Sequence, residues 1–136
     1  MDIKEWLKRA RALDREVKEL REATMKSLSI AQGSGVDYSG ERVQSSSDNG
    51  IESKFITYTD NAILLERKIE ELEEYRKKVL TVIYSIDDTV LRTLLIARYI
   101  NCKTWEQIAE DMGYSVKWVK TGLHSKALKQ ADKAKN

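Results

Sequence analysis

Apolar residues recur at Ile3, Trp6, Ala10, Leu13, Val17 and Leu20, three and four apart in alternation. That spacing is the narrow seam of a coiled-coil helix rather than the broad stripe of a helix lying on a globular surface. Asp2 is placed to cap it. A helix from Asp2 to about Leu28 would span about 40 Å. So narrow a seam does not hold a lone helix folded, and the pattern therefore predicts a partner helix. A second seam repeats the rhythm at Ile51, Phe55, Tyr58, Ala62, Leu65, Ile69, Leu72, Arg76, Val79 and Ile83. Ile56, Ile63, Leu64 and Leu80 widen it, as for a helix with more than one neighbour. Asn49 and Glu52 have capping-box spacing at its start. Arg76 is a charge on an otherwise apolar seam, marking either the end of the partner helix or an ion pair.

Between the seams, residues 32–50 read QGSGVDYSGERVQSSSDNG, with four of the six glycines and five serines. This is the composition of a flexible linker, anchored at most by Val36, Tyr38 and Val43. Beyond the second seam the pattern shortens. Ser85 and Asp88 match a helix start, and Val90, Leu91, Leu94, Leu95 and Ile100 share one face of a helix ending near Asn101, a residue that tolerates a left-handed C-cap. Thr104 with Gln107 opens a short helix reaching Met112, and Ser115 is placed to cap a last helix. The chain is thus expected to be all-α, a long coiled-coil-like hairpin followed by three short helices. Residues 1–86 form the long oligomerising region and residues 87–136 a separate domain.

Composition agrees with helices: no proline and 34% charged residues. The net charge of +2 hides an asymmetry. Residues 115–136 contain six lysines and one aspartate, a local +5, which leaves −3 for the rest. A basic terminal region on a near-neutral body suits a polyanionic partner. A single cysteine, Cys102, precludes an intrachain disulfide and fits a cytosolic setting. The N-terminus has no signal-peptide core, and no run approaches the roughly 20 apolar residues of a membrane span. There is no glycine-rich phosphate loop and no paired nucleophile and base, so an enzyme is not expected. His124 and Cys102 alone cannot build a His/Cys metal site, and no cofactor is implied. Cys102 reads as a small apolar turn residue, and Trp105 and Trp118 as packing residues.

Residues 104–128, TWEQIAEDMGYSVKWVKTGLHSKAL, carry the pattern of a helix-turn-helix. Ile108 and Ala109 supply the branched and small residues where two helices cross. Gly113, four after Ala109, supplies the positive φ of the turn. Met112, Val119 and Leu123 close a small core that Ala127 continues. Ser115, Val116, Lys117, Lys120, Thr121 and His124 then face outward, with side chains suited to base edges, thymine methyls and phosphates. Lys126 and Lys129 lie further along, where backbone phosphate is the natural contact. Gly122 falls inside the expected reading helix, where glycine costs about 1 kcal/mol.

The stretch LLIARYINCKTWEQIAEDMGYS, followed by Trp118-Val119, Leu123 and the Lys-Ala-Leu of 126–128, resembles region 4 of sigma-70-type sigma factors, the module that reads the −35 promoter element. The full layout, with a helical N-terminal part and GVDYSGERVQSS ahead of that region, is similar to phage-encoded late-transcription activators of the RinA/ArpU type. The resemblance implies double-stranded DNA as partner, contact with RNA polymerase, homo-oligomerisation through the long helices, and a bacterial cytoplasm. It places Lys117, Lys120, Thr121 and His124 at base- and phosphate-facing positions. Two other functions share these features, a small-terminase-like DNA-packaging protein and an adaptor that binds RNA polymerase rather than DNA.

Overall fold

A computed structural model describes residues 2–34 and 45–136. Every regular element among them is a helix. The long helices are α1 (Ile3–Ser34) and α2 (Ser45–Tyr84). Then come α3 (Thr89–Leu95), which continues as a π-helical turn over Ile96–Ile100, and α4 (Trp105–Met112). The last helix passes through a π-helical turn, Trp118–Leu123, into α5 (His124–Lys135). No helix among the described residues is long and apolar enough to cross a membrane. Both seams run past their expected ends, α1 beyond Leu28 and α2 from Ser45 rather than Asn49. The proposed linker anchors Val36, Tyr38 and Val43 lie outside the described residues.

The chain divides into two compact units, residues 1–14 with 72–136, and residues 15–71. The first unit runs across the expected boundary between residues 86 and 87, and the reason lies in its core. That core buries Ile3, Leu7 and Ala10 of α1 and Val79 and Ile83 of α2 together with Leu94 and Leu95 of α3, Tyr99, Ile108, Ala109, Val119, Leu123 and Ala127. Three short helices alone bury little apolar surface, and the ends of both long helices complete their core. Leu7, fully buried beside the Ile3–Ala10 seam, widens α1 into a two-neighbour face. Tyr75 donates from its hydroxyl to the carbonyl of Trp6 at 2.7 Å, with the two rings 5.9 Å apart. Arg76 resolves as an ion pair: its Nη2 lies 2.7 Å from Asp14 Oδ1 and also donates to the carbonyl of Ile100 at 3.1 Å.

Local chemistry sets the connections. Asp88, not Ser85, caps α3, its Oδ1 accepting from the N–H groups of Val90 and Leu91 at 2.8 and 3.1 Å. Ser85 instead donates back to the carbonyl of Thr81 within α2. Arg92 closes the same connection by donating to the carbonyls of Ile86 and Asp87. After the first π turn the left-handed residue is Cys102, at φ 56°, and not Asn101, whose φ is −87°.

In the second unit α1 and α2 run antiparallel, with Lys68 3.5 Å from Glu16 and Asn61 donating to Ser27 Oγ at 2.8 Å. Val17 and Ala31 are buried there, and Thr24 hides its hydroxyl by donating to the carbonyl of Leu20. Phe55, Ile56, Ile63 and Leu64 remain exposed along α2.

Candidate functional site

The turn at Gly113 is built from both sides by backbone-saving contacts. Thr104 Oγ1 accepts from the Gln107 N–H, and the Gln107 side chain accepts from the Thr104 N–H, a complete capping box. At the other end of α4, Gly113 has φ 75° and donates to the carbonyls of Ala109 and Glu110. The Tyr114 N–H also returns to Ala109, which completes a Schellman ending. A Cβ at residue 113 would meet no atom within 4 Å, so the glycine serves the backbone conformation and not a close approach. Ser115 then starts the last helix, its Oγ accepting from the Trp118 N–H at 3.1 Å.

That helix is held by one face and open on the other. Val119, Leu123, Ala127 and Ala131 are buried, with Ile108 and Ala109 of α4 in the same core, and Met112 packs half-buried against it. Ser115, Val116, Lys117, Lys120 and Thr121 are exposed, as are Lys126 and Lys129. The expected outward row is therefore brought together, apart from His124.

His124 is a correction. It is 6% exposed, its Nε2 lies 2.6 Å from the Tyr99 hydroxyl, and its ring stands edge-on to Trp105 at 4.7 Å. The π turn is the cause. The His124 N–H reaches the carbonyl of Val119, five residues back, so His124 falls beneath Val119 on the buried side. Burial, followed by the fields of Lys4, Arg98 and Lys8, lowers its pKa from 6.5 to about 4, and burial raises that of Tyr99 to about 12. The pair is neutral and structural, and His124 is unavailable to a base edge.

Trp118, read as a packing residue, packs along its own helix and not in the core. It is 40% exposed, and Lys126 Nζ lies 5.2 Å from its ring centroid. Trp118 also accounts for Gly122: a Cβ added there would run into Cζ3 and Cε3 of the indole. Glycine in this helix is the seat for a tryptophan ring, and its propensity cost of about 1 kcal/mol is offset by that contact. Trp105 does pack, between His124 and the Arg98 guanidinium, which sits 4.1 Å from its ring centroid.

Lys120, Thr121 and His124 border a cleft of about 400 Å³ whose other walls are Lys4, Lys8 and Arg11 of α1 with Arg98, Tyr99 and Trp105. The α1 cations and Arg98 were not expected in the site. Lys4, Lys8 and Arg11 do recur four and three apart on one helical face, a signal hidden by treating α1 only as a coiled coil. Lys126 and Lys129 border a different cleft, of mixed charge, together with Asp88, Asp132 and Lys133. Among the described residues no three His, Cys, Asp or Glu side chains come together as metal ligands. No family model, no curated protein and no solved structure matches the chain.

Proposed function

We propose that this chain is a sequence-specific DNA-binding transcription regulator, an activator of phage late genes in a bacterial cytoplasm, with Trp105–Met112, the Gly113 turn and the helix from Val116 onward acting as a helix-turn-helix. The observation that carries this reading is the exposed row Ser115, Val116, Lys117, Lys120 and Thr121. It lies on a helix whose opposite face is locked in the core and whose entry is capped. A reading helix needs this combination, because side chains reach base edges only from a rigidly oriented backbone. Lysines supply phosphate contacts and Val116 an apolar surface for a thymine methyl. The sigma-region-4 resemblance turns Lys117, Lys120 and Thr121 of this row toward DNA, though not the buried His124, with Lys126 and Lys129 adding backbone contacts.

The long helices supply copies of this surface. Phe55, Ile56, Ile63 and Leu64 leave an apolar strip on α2 of the second unit, which suits a second copy of the chain. Two reading helices on successive turns of a duplex would then recognise half-sites one helical turn or a multiple apart. Mass in solution separates this from DNA packaging: a dimer or tetramer supports a regulator, and a ring of many subunits supports a small-terminase role.

The direct test is duplex binding by Lys117→Ala/Lys120→Ala over a salt series. The expected result is weaker binding with a slope of log K against log salt flatter by about one for each lost phosphate contact. Equal affinity of wild type and the double variant for every duplex refutes the reading. A second reading, an adaptor that docks on RNA polymerase, draws on the exposed apolar neighbours Tyr114, Val116 and Trp118. Trp118→Ala that abolishes polymerase capture while leaving duplex affinity intact would favour it.

A further inference from the structure

The cleft beside the reading helix differs in charge from the cleft at Lys126 and Lys129. Of its nine lining residues five are cations and none is a carboxylate, whereas the cleft at Lys126 and Lys129 includes Asp88 and Asp132. The five come from three separate elements: Lys4, Lys8 and Arg11 from α1, Arg98 from the first π turn, and Lys120 from the second. Like charges gathered this closely repel one another, more so against buried apolar walls than in open water. Their effect is felt inside the cleft, since Lys4, Arg98 and Lys8 all disfavour a charge on His124, and Arg11 does the same to Arg98. Nearby anions include Glu5, 3.8 Å from Lys8, Glu106, whose field reaches Arg98, and Asp14, three residues beyond Arg11 and paired with Arg76. Arg11 also buries its Nε without an acceptor.

Such a cluster is stabilised by an anion with several oxygens, and arginine with lysine is the set that binds phosphate. We infer that this cleft is a binding site for phosphate groups, with Lys4, Lys8, Arg11, Arg98 and Lys120 as its cations. The groups come either from a DNA backbone or from a free polyphosphate. Lys120 also belongs to the exposed row of the reading helix, which favours the backbone of the same duplex; that part of the inference rests on the proposed function. α1 would then be a DNA-contacting element as well as a core one.

The test uses the full chain and Lys4→Gln/Lys8→Gln, both exposed positions whose loss leaves the core untouched. Thermal melting confirms folding, and Lys4→Arg/Lys8→Arg serves as the charge-retaining rescue. In one arm inorganic pyrophosphate is titrated and followed by tryptophan emission, since Trp105 lines the cleft. In the other, duplex affinity is measured by fluorescence anisotropy over a salt series. A backbone site predicts that the Gln variant loses about tenfold or more in affinity at low salt, equally for all sequences, with a slope flatter by about two. A free-phosphate site predicts lost pyrophosphate binding with unchanged duplex affinity. Either result, restored by the Arg variant, supports the inference, and no change in both arms overturns it. Lys117→Ala, outside the cleft, probes the reading helix separately. If the wild type shifts no duplex even at low salt while the pyrophosphate arm still responds to Lys4 and Lys8, the DNA reading fails and the cleft stands.

Discussion

Acidification should act on this protein through His124 in a way that a single substitution can isolate. The imidazole is buried against Tyr99 and Trp105, with Lys4, Lys8 and Arg98 nearby, and its pKa falls from 6.5 to about 4. The unfolded chain therefore takes up this proton before the folded one. The stabilising contribution is complete above about pH 6.5, is lost as pH falls toward 4, and shows no further loss below that. Each pH unit between the two values corresponds to about 1.36 kcal/mol, so the full loss is about 3 kcal/mol. That is a large share of the 5–15 kcal/mol typical of a small domain. The assay is urea unfolding followed by circular dichroism at intervals from pH 7 to pH 4, for wild type and for His124→Gln. Gln can still bond the Tyr99 hydroxyl but cannot titrate. Carboxylates contribute to both proteins, so the difference between the two curves reports the histidine. Wild type should lose up to about 3 kcal/mol more than the variant over this window. Parallel curves, or a His124 ring that titrates near 6.5 in the folded protein by NMR, would refute the burial argument.

Two further outcomes follow from the helix that carries the exposed row. Gly122→Ala should cost stability or be neutral in wild type, because the Trp118 ring must leave its seat. In a Trp118→Ala background the same change should stabilise by about 1 kcal/mol, the ordinary helix-propensity gain. A double-mutant cycle by thermal unfolding measures the difference, and equal effects in both backgrounds would disprove the contact. Gly113→Ala should cost about 1–2 kcal/mol through its left-handed φ alone, since no atom opposes the new methyl. Gly113→Asn should cost less, and urea midpoints of the two variants give the comparison.

Much of this architecture is local, and therefore legible in the residues. The capping box of Thr104 and Gln107, the positive φ of Gly113 and the Ser115 cap each depend on atoms within a few positions. Spacing alone determined them, together with the all-helical class and the buried residues Ile108, Ala109, Val119 and Leu123. The exposed row from Ser115 to Thr121 was legible for the same reason. What the chain alone did not show depends on how the helix winds and what packs on it. A helical wheel assumes 3.6 residues per turn throughout. The π turn over Trp118–Leu123 breaks that assumption, bringing His124 inward and leaving Trp118 exposed over Gly122. Only tertiary packing could then decide that the first turns of α1 complete the core of the C-terminal helices and bring Lys4, Lys8 and Arg11 beside Lys120. The helical spacing of those cations is written in the chain, but their charge meets Lys120 only through contacts more than a hundred residues apart in sequence.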